Sequence, residues 1–390
     1  MFYRIALLVI SYMLIATIST SGQSPVPNNS ELKEVKFVYE GAYGTNKDVV
    51  VGRFGPVAVG NNDRVFIGDA DQETIHVFEK TGEYVTSVGR IGRGPCEFEY
   101  ITQNTEISFN DGHMYVTDDQ LQFENSAHVF SLDDWSCAKT IRLLSDDKDD
   151  FKELEGYFPI RFYHLEEDNL LVVYRLTYED IPDKKNYLYY LLQDEDGKIL
   201  SDPVLRLPGP RYASYTVEGS YPFNAMHSFP FYSRSLFAIT KGGLLLTANG
   251  TDFEIRVHDP EGNYVRSITH PFENKKLDIE RMKDNYERTG YMSQLGEGVV
   301  SEMLEDEENV PENWPALNQM LVDDKNQIWV STIIDDEVNE WWIMELSGEI
   351  ISTFKWPVDK TIETVKNGFL YTREVETETG EEKINKYQIK

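Results

Sequence analysis

From Val65 onward the chain alternates short apolar runs with polar turns: VFIGD, then TIHVFE, the turn KTGE, and YVTSVG. The run PVAVG and the turn NNDR precede them. Apolar runs of five or six residues, rich in β-branched and aromatic side chains and bounded by turn formers, read as strands. Four of them joined by tight turns make an antiparallel meander. The same order recurs from Thr105 (TEISF-NDGH-MYVTDD, then SAHVF-SLDDWSC-AKTIRLL), and again from Arg161, Ser235, Leu317 and Thr361. The last copy stops after three strands, at Lys390, while the stretch ELKEVKFVYEG, residues 31–41, is a strand with no partner in its own unit. A ring closes well when one unit is built from both chain ends, because closure hides the sheet edges that a linear array exposes. The pattern therefore predicts an all-β fold, a six-bladed β-propeller of four-stranded antiparallel blades over residues 31–390, with the N-terminal strand completing the last blade. Runs such as LLVVY and GLLLT do not alternate, as expected of strands covered on both faces by neighbouring blades.

The segment NNDRVFIGDADQETIHVFEKTGEYVTSVG, followed by GRGPCEF, resembles an NHL-type propeller repeat. Gly92, Gly94, Pro95 and Phe98 match the closing motif of that repeat, and Cys96 stands where it carries glycine. With PALNQMLVDDKNQIWV (Pro315 to Val330), the chain is similar to the six-bladed propeller proteins exported by Bacteroidetes. The resemblance implies a fold and an envelope location, and no defined reaction.

Two insertions interrupt the repeat, at 208–234 and 272–315. The first crowds Tyr212, Tyr215, Tyr221, Phe223, Phe229, Phe231 and Tyr232 into a loop, where aromatics either form a binding platform or pin the loop to the body. In the second, LDIERMKDNYERTGYM places Ile279, Met282 and Tyr286 at helical spacing, which predicts a helix lying on a blade. At the N-terminus, Arg4, an apolar run from Ile5 to Ile18 and small residues to Gly22 read as a secretory signal peptide (1–22) cut near Gly22 or Gln23. An uncleaved anchor is the alternative. The expected location is periplasmic or extracellular, with no membrane span in the mature chain, since the run falls short of the roughly 20 residues that a span needs.

Charge narrows the partners. Asp and Glu number 67 against 37 Lys and Arg, a net charge of -30. Such a surface repels phosphate backbones and disfavours nucleic acid. The densest acidic run, 302–313, reads as solvated surface. The two cysteines, Cys96 and Cys137, fall in a crossover between units and after a third-to-fourth-strand turn. Those positions belong to opposite faces of a blade, separated by roughly 17–20 Å. A disulfide needs Cα atoms within about 7 Å, so two free thiols are expected.

No catalytic constellation stands out. His76 and His128 occupy equivalent places in IHVF and AHVF and read as strand residues. Asp69 with Asp71, and Asp118 with Asp119, either hold Ca2+ or accept backbone N–H bonds in turns, the second being the favoured reading. There is no Gly-x-Ser-x-Gly elbow and no phosphate loop. What remains is a gathering of arginines, Arg53, Arg161 and Arg234, each placed just before an innermost strand. With Asp69, Asp118, Tyr174, Arg175, Asn249 and Asp252 they would ring one mouth of the channel, roofed by Tyr221 and Phe231. Guanidinium forks suit carboxylate, phosphate or sulfate. The sequence thus reads as a monomeric binding module without a cofactor, taking a small molecule, glycan or protein. The small-molecule form is an anionic ligand such as an acidic sugar at the mouth. The alternative is a metal-dependent propeller hydrolase or lyase with its site in the channel.

Overall fold

The computed structural model describes residues 32–390 except 119–125, 145–150, 166–168, 177–185, 218–222, 289–298, 305–309, 336 and 377; the expected signal segment, Asp119 and Tyr221 lie outside them. After β1 (Phe37–Tyr43), blade one runs β2 (Phe54–Val59), β3 (Val65–Asp69), β4 (Thr74–Phe78) and β5 (Tyr84–Val88). Blade two is β6 (Ile107–Asn110), β7 (His113–Asp118), β8 (Ser126–Ser131) and β9 (Cys137–Arg142). Blade three is β10 (Tyr157–His164), β11 (Leu170–Leu176), β12 (Tyr187–Gln193) and β13 (Leu205–Pro208). A hairpin, β14 (Ala213–Val217) and β15 (Phe223–His227), intervenes. Blade four is β16 (Leu236–Ile239), β17 (Leu245–Ala248), β18 (Glu254–His258) and β19 (Tyr264–Thr269). Helices α1 (Ile279–Arg288) and α2 (Val299–Met303) follow. Blade five is β20 (Gln319–Val322), β21 (Ile328–Ile333), β22 (Val338–Met344) and β23 (Ile350–Pro357). The last blade contains β24 (Thr361–Lys366), β25 (Phe369–Val375) and β26 (Glu382–Ile389).

All blade pairings are antiparallel meanders, and the sixth sheet has the order β1-β26-β25-β24. The N-terminal strand closes the ring as its pattern predicts: Phe37 pairs with Ile389 and Tyr43 with Ile384, across a bulge between Tyr39 and Gly41. The second strands are the most buried, with every residue of β3 and of β21 enclosed. They lack alternation because a neighbouring blade covers each face. The core is correspondingly a ring of apolar clusters, one at each junction between consecutive blades. At the junction of blades six and one, for example, Tyr43, Tyr371 and Ile384 meet Val65, Ile67 and Phe78.

A further cluster belongs to the insertions, which pack on each other. Phe229, Tyr232, Met282, Val300 and Trp314 share a core with Ile333 at the end of β21. Both insertions leave the ring at blade-to-blade crossovers, so this cap sits on the face that carries the crossovers and the second-to-third-strand loops, called here the mouth face. Helix α1 forms where helical spacing predicts it, and Met282 is buried against the other insertion as well as the blade. The side chain of Tyr286 lies outside the described set.

The cysteines correct the sequence reading. Cys96 and Cys137 form a disulfide with Cα atoms 5.8 Å apart. The expectation of free thiols treated the blade-one-to-two crossover as a turn confined to the mouth face. Instead it folds back on itself, with Gly92 N–H bonded to Phe98 O and Phe98 N–H to Arg90 O. Phe98 is driven down among His128 and Phe130 of blade two. Cys96, 5 % exposed, then lies 3.7 Å from Val129 O and 3.6 Å from Lys139 O, halfway along the outer strands and beside Cys137. Its φ of +58° also gives a physical reason for the glycine that the resembled repeat carries at this place. Tying residues 41 apart restricts the unfolded chain by on the order of 3–4 kcal/mol.

Candidate functional site

The three arginines arrive at the channel in different ways. Arg53 stands just before β2, about two-thirds exposed, with Nε 3.2 Å from Asp71 Oδ1 and Nη2 donating to Ala70 O. Arg161 is not before its innermost strand but within it, paired in register with Val173 beyond a bulge. The strand starts earlier than the sequence suggested because Tyr157–Pro159 pair with Tyr174–Leu176. Its Nε lies 2.9 Å from Glu106 Oε2 at the start of blade two's innermost strand. The carboxylate of Glu106, then the Tyr163 phenol, hold the guanidinium more firmly protonated than usual. The side chain keeps 42 % of its surface. Burial raises the phenols of Tyr163 and Tyr190 beside it.

Arg234 differs from both. It stands before β16, with Nη2 and Nε donating to Asn318 O at 2.8 and 3.2 Å and Nη2 to Asn318 Oδ1 at 3.3 Å. Among the described residues no carboxylate pairs with it. Burial alone lowers its proton affinity. It bridges blades four and five directly beneath the cap.

The channel is not uniform. Backbones of innermost strands lie close in the series β16, β20, β24, β2, β6, whereas β10 stands farther from both of its neighbours. The gap on its blade-four side is filled by side chains, with Tyr163 and Tyr190 packed on Phe237 at 4.8 and 4.7 Å between ring centroids. The widening falls where Arg161 projects.

Several expected site residues are turned into the protein. Asp69 is fully buried and accepts N–H bonds from Gly52 (2.7 Å), Asp71 (2.9 Å), Gln72 (3.1 Å) and the Gln72 amide (2.7 Å). Burial alone would raise its pKa, but the hydrogen bonds from Gly52, Asp71, His76 and Gln72 outweigh it and hold the carboxyl below the usual range. His76 Nε2 lies 3.3 Å from Asp69 and Nδ1 2.8 Å from Ser87 Oγ; burial keeps the ring below the usual histidine pKa. Blade two repeats the arrangement: Asp118 accepts from Glu99 and Tyr100 N–H, His128 Nε2 lies 3.8 Å away, and His128 Nδ1 meets Thr140 Oγ1. These Asp–His–hydroxyl sets resemble a nucleophilic triad in composition, but both histidines and both aspartates are at most 4 % exposed. They clip the second, third and fourth strands together. The buried carboxylates of Asp69 and Asp118 are thus taken up by backbone N–H donors.

Tyr174 is also buried, its hydroxyl donating to Leu143 O and Gln193 Oε1. Arg175 lies with its guanidinium 5.3 Å over the Phe158 ring. Phe231 does not roof the mouth: it is 1 % exposed and stacked on Phe229 inside the cap core, because the aromatics of this loop bury one another. Asn249 and Asp252 are exposed on the mouth face of blade four, where Asn249 Oδ1 accepts Thr251 N–H. The structure therefore leaves Arg53, Arg161, Arg234, Asn249 and Asp252 with surface on the mouth or channel, and adds Glu106, Tyr163 and Asn318. Glu106 carried no signal in the repeat: aligned from their starts, the units set Thr105 against Arg161. Among the described residues no three His, Cys, Asp or Glu side chains are arranged to hold a metal.

A six-bladed ring closed by its own N-terminal strand and capped on the mouth face places the molecule among the six-bladed β-propellers. The chain belongs to the DUF5128 family, described as a 6-bladed beta-propeller, which matches residues 28–270. It is similar in structure to a protein from Bacteroides fragilis named as exported (TM-score 0.52, 14 % identity, covering 94 % of this chain and 98 % of that one). It is also similar to a duf4221 member from Bacteroides vulgatus (TM-score 0.53, 10 % identity, covering 92 % and 98 %). At these identities the likeness shows the fold alone. A comparison with curated proteins found none similar in sequence. Among the described residues no helix is long and apolar enough to cross a membrane.

Proposed function

We propose that the protein is an exported binding propeller that holds a small anionic ligand, of the acidic-sugar kind, at the mouth of its channel between Arg161 and Arg234. The observation that carries this reading is Arg234. In a chain of net charge -30 this cation stands with exposed surface at the mouth face, held by neutral acceptors of Asn318, with no carboxylate against it among the described residues. A guanidinium so fixed offers its remaining N–H donors in a defined plane, which suits a carboxylate or sulfate fork. Arg161 adds a second cation, paired with Glu106 through Nε, at the wide side of the channel, and Tyr163 offers an aromatic edge. Arg53 lies at the rim and contributes least, since Asp71 already attends it. The Cys96–Cys137 disulfide fits an oxidising compartment outside the cytosol, in line with the N-terminal apolar run.

Calorimetry with glucuronate, galacturonate and sulfate tests the reading. Binding of one of them should be lost in Arg234→Ala, weakened by at least about tenfold in Arg161→Ala and little changed in Arg53→Ala. No binding of any of the three, or binding that Arg234→Ala leaves intact, would sink it. N-terminal sequencing of protein recovered from the periplasm or medium tests the export.

A further inference from the structure

We propose that a second ligand site lies on the opposite face of the ring, at the closure seam, where Lys386 anchors a small hydroxylated monocarboxylate. A cavity of about 490 Å3 opens there between β1, β26 and the hairpin turns of blade one, with Lys386, Phe369, Tyr43, Asp63 and Glu40 on its walls. The site is independent of the channel mouth, because first-to-second and third-to-fourth strand turns project from the other face.

The cavity has a structural origin. Lys386 pairs with Gly41 of β1 and Tyr371 of β25. A β-bulge at Glu40 spreads the strands, and Gly41 contributes no side chain; a Cβ there would meet nothing within 4 Å. Lys386 is 7 % exposed, so it is a charged side chain held almost wholly inside. Its Nζ lies 4.0 Å from the Phe369 ring centroid and 5.8 Å from that of Tyr371. Its hydrogen-bond acceptor among the described residues is Lys80 O, at 3.4 Å. No carboxylate lies within ion-pair distance of it among them. An ammonium carries three donors, and one long bond leaves two of them without a described hydrogen-bond acceptor on the wall of the cavity.

A lysine so placed is costly for stability alone. Desolvation lowers its proton affinity, against the raising fields of Asp63 and Glu40 and with that of Lys80. A methionine would fill the same space against Phe369 and Tyr371 without that cost. The chemistry of the walls selects the ligand. The free N–H donors ask for an anionic or carbonyl oxygen. Asp63 and Glu40 oppose a second negative charge, which disfavours phosphate and sulfate. Thr81, also on the wall, can meet a ligand hydroxyl group, and the volume falls in the range of small-ligand pockets.

The experiment follows the lysine side-chain signals of the full chain, labelled with 13C at lysine Cε, during titration with D-gluconate and separately with sulfate. The Lys386 signal is identified by its loss in Lys386→Met. It should move saturably with gluconate, at least about tenfold more weakly with sulfate, and equally in Arg234→Ala. Lys386→Met should melt no lower than the parent and lose gluconate binding. A Lys386 signal unmoved by saturating gluconate, or gluconate binding retained by Lys386→Met, overturns the site. Equal affinity for sulfate overturns the ligand class. Should Lys386→Met fail to fold, the parent's titration decides alone, with the Lys386 signal assigned by its contacts to the Phe369 ring protons.

Discussion

Two corners of the ring each hold an arginine, and they are opposites. At the seam between blades six and one, Arg373 of β25 is 14 % exposed and meets Glu363 Oε1 at 2.5 Å and Glu382 Oε1 at 3.1 Å. It also donates to the carbonyls of Phe54 and Gly55 in blade one. At the capped junction of blades four and five, Arg234 meets only the carbonyl and amide oxygens of Asn318 among the described residues. Both cations stitch one blade to the next. The first has two carboxylates and two carbonyls around its donors and leaves nothing for a ligand. The second lacks a counter-charge although the chain carries a large surplus of acid. A saturated arginine of this kind is part of the fold, and an unsaturated one is the natural place to look for an anion.

The largest effect should come from the seam. Deleting residues 32–43 removes β1, uncovers the edge of β26 and takes Tyr43 out of the core shared with Phe78 and Tyr371. The whole domain should lose its cooperative melt, because the ring depends on that pairing; a truncated chain with an unchanged Tm would contradict closure. Next is Arg373→Ala, which strands Glu363 and Glu382 in a partly buried place. It should cost about 3–5 kcal/mol, the scale for removing one member of a buried ion pair, read by urea unfolding. A cost below about 1 kcal/mol would mean that the two corners do not differ as their contacts suggest.

How legible these corners were in the sequence differs in an instructive way. Blade number, strand order and the closing strand followed from repeat spacing, since each depends on local turns and on strands whose composition records burial on both faces. Arg234 was recognisable as a candidate by its place before an innermost strand. Its partner was not, because Asn318 is 84 residues away and is brought near only by ring curvature. The same holds for Cys96 and Cys137: their distance was set by a crossover that folds back along blade two, and no local pattern encodes how far a loop descends. Asp69 and Asp118 were candidates for the mouth because sequence shows residue type but not the direction of a side chain; Asp69 turns toward its own turn and Gly52, and Asp118 toward the crossover backbone at Glu99 and Tyr100. Lys386 gave no signal at all, being one polar residue in an alternating strand near a rim; its enclosure arises from the glycine and bulge on a strand at the other end of the chain.

Acid should weaken the ring before it touches either arginine. His76, His227, His258 and His270 are each held below the usual histidine pKa, in every case chiefly by burial. Their folded pKa values are depressed, so the unfolded chain takes up protons first as pH falls. The stability they lend is complete above the unfolded value of about 6.5 and is lost progressively below it. Asp323 and Glu73 act in the opposite sense, since burial raises both carboxyls, but their return comes only as the pH approaches the carboxylate range. The melting temperature should therefore fall between pH 7.5 and 6. His270, whose Nε2 lies 3.1 Å from Gly348 O at the junction of blades four and five, is the one to replace. His270→Gln should flatten that slope; a slope unchanged by it would place the proton uptake on the other histidines.

The smallest effect on stability should be that of Arg234→Ala, and its smallness is the point. Three donor contacts to Asn318 are lost, but the acceptors left behind are a carbonyl and an amide oxygen on the exposed mouth face, which water can satisfy. No buried carboxylate is stranded among the described residues. The expected cost is under about 1 kcal/mol, a shift in Tm of no more than about 3 °C. Set beside Arg373→Ala, this is a difference of several-fold between two inter-blade arginines, produced only by what surrounds them. Melting curves of the two variants, recorded in the same low-salt buffer, measure it directly. If Arg234→Ala costs as much as Arg373→Ala, Arg234 is a structural tie between blades four and five, and its missing counter-charge carries no message about a ligand.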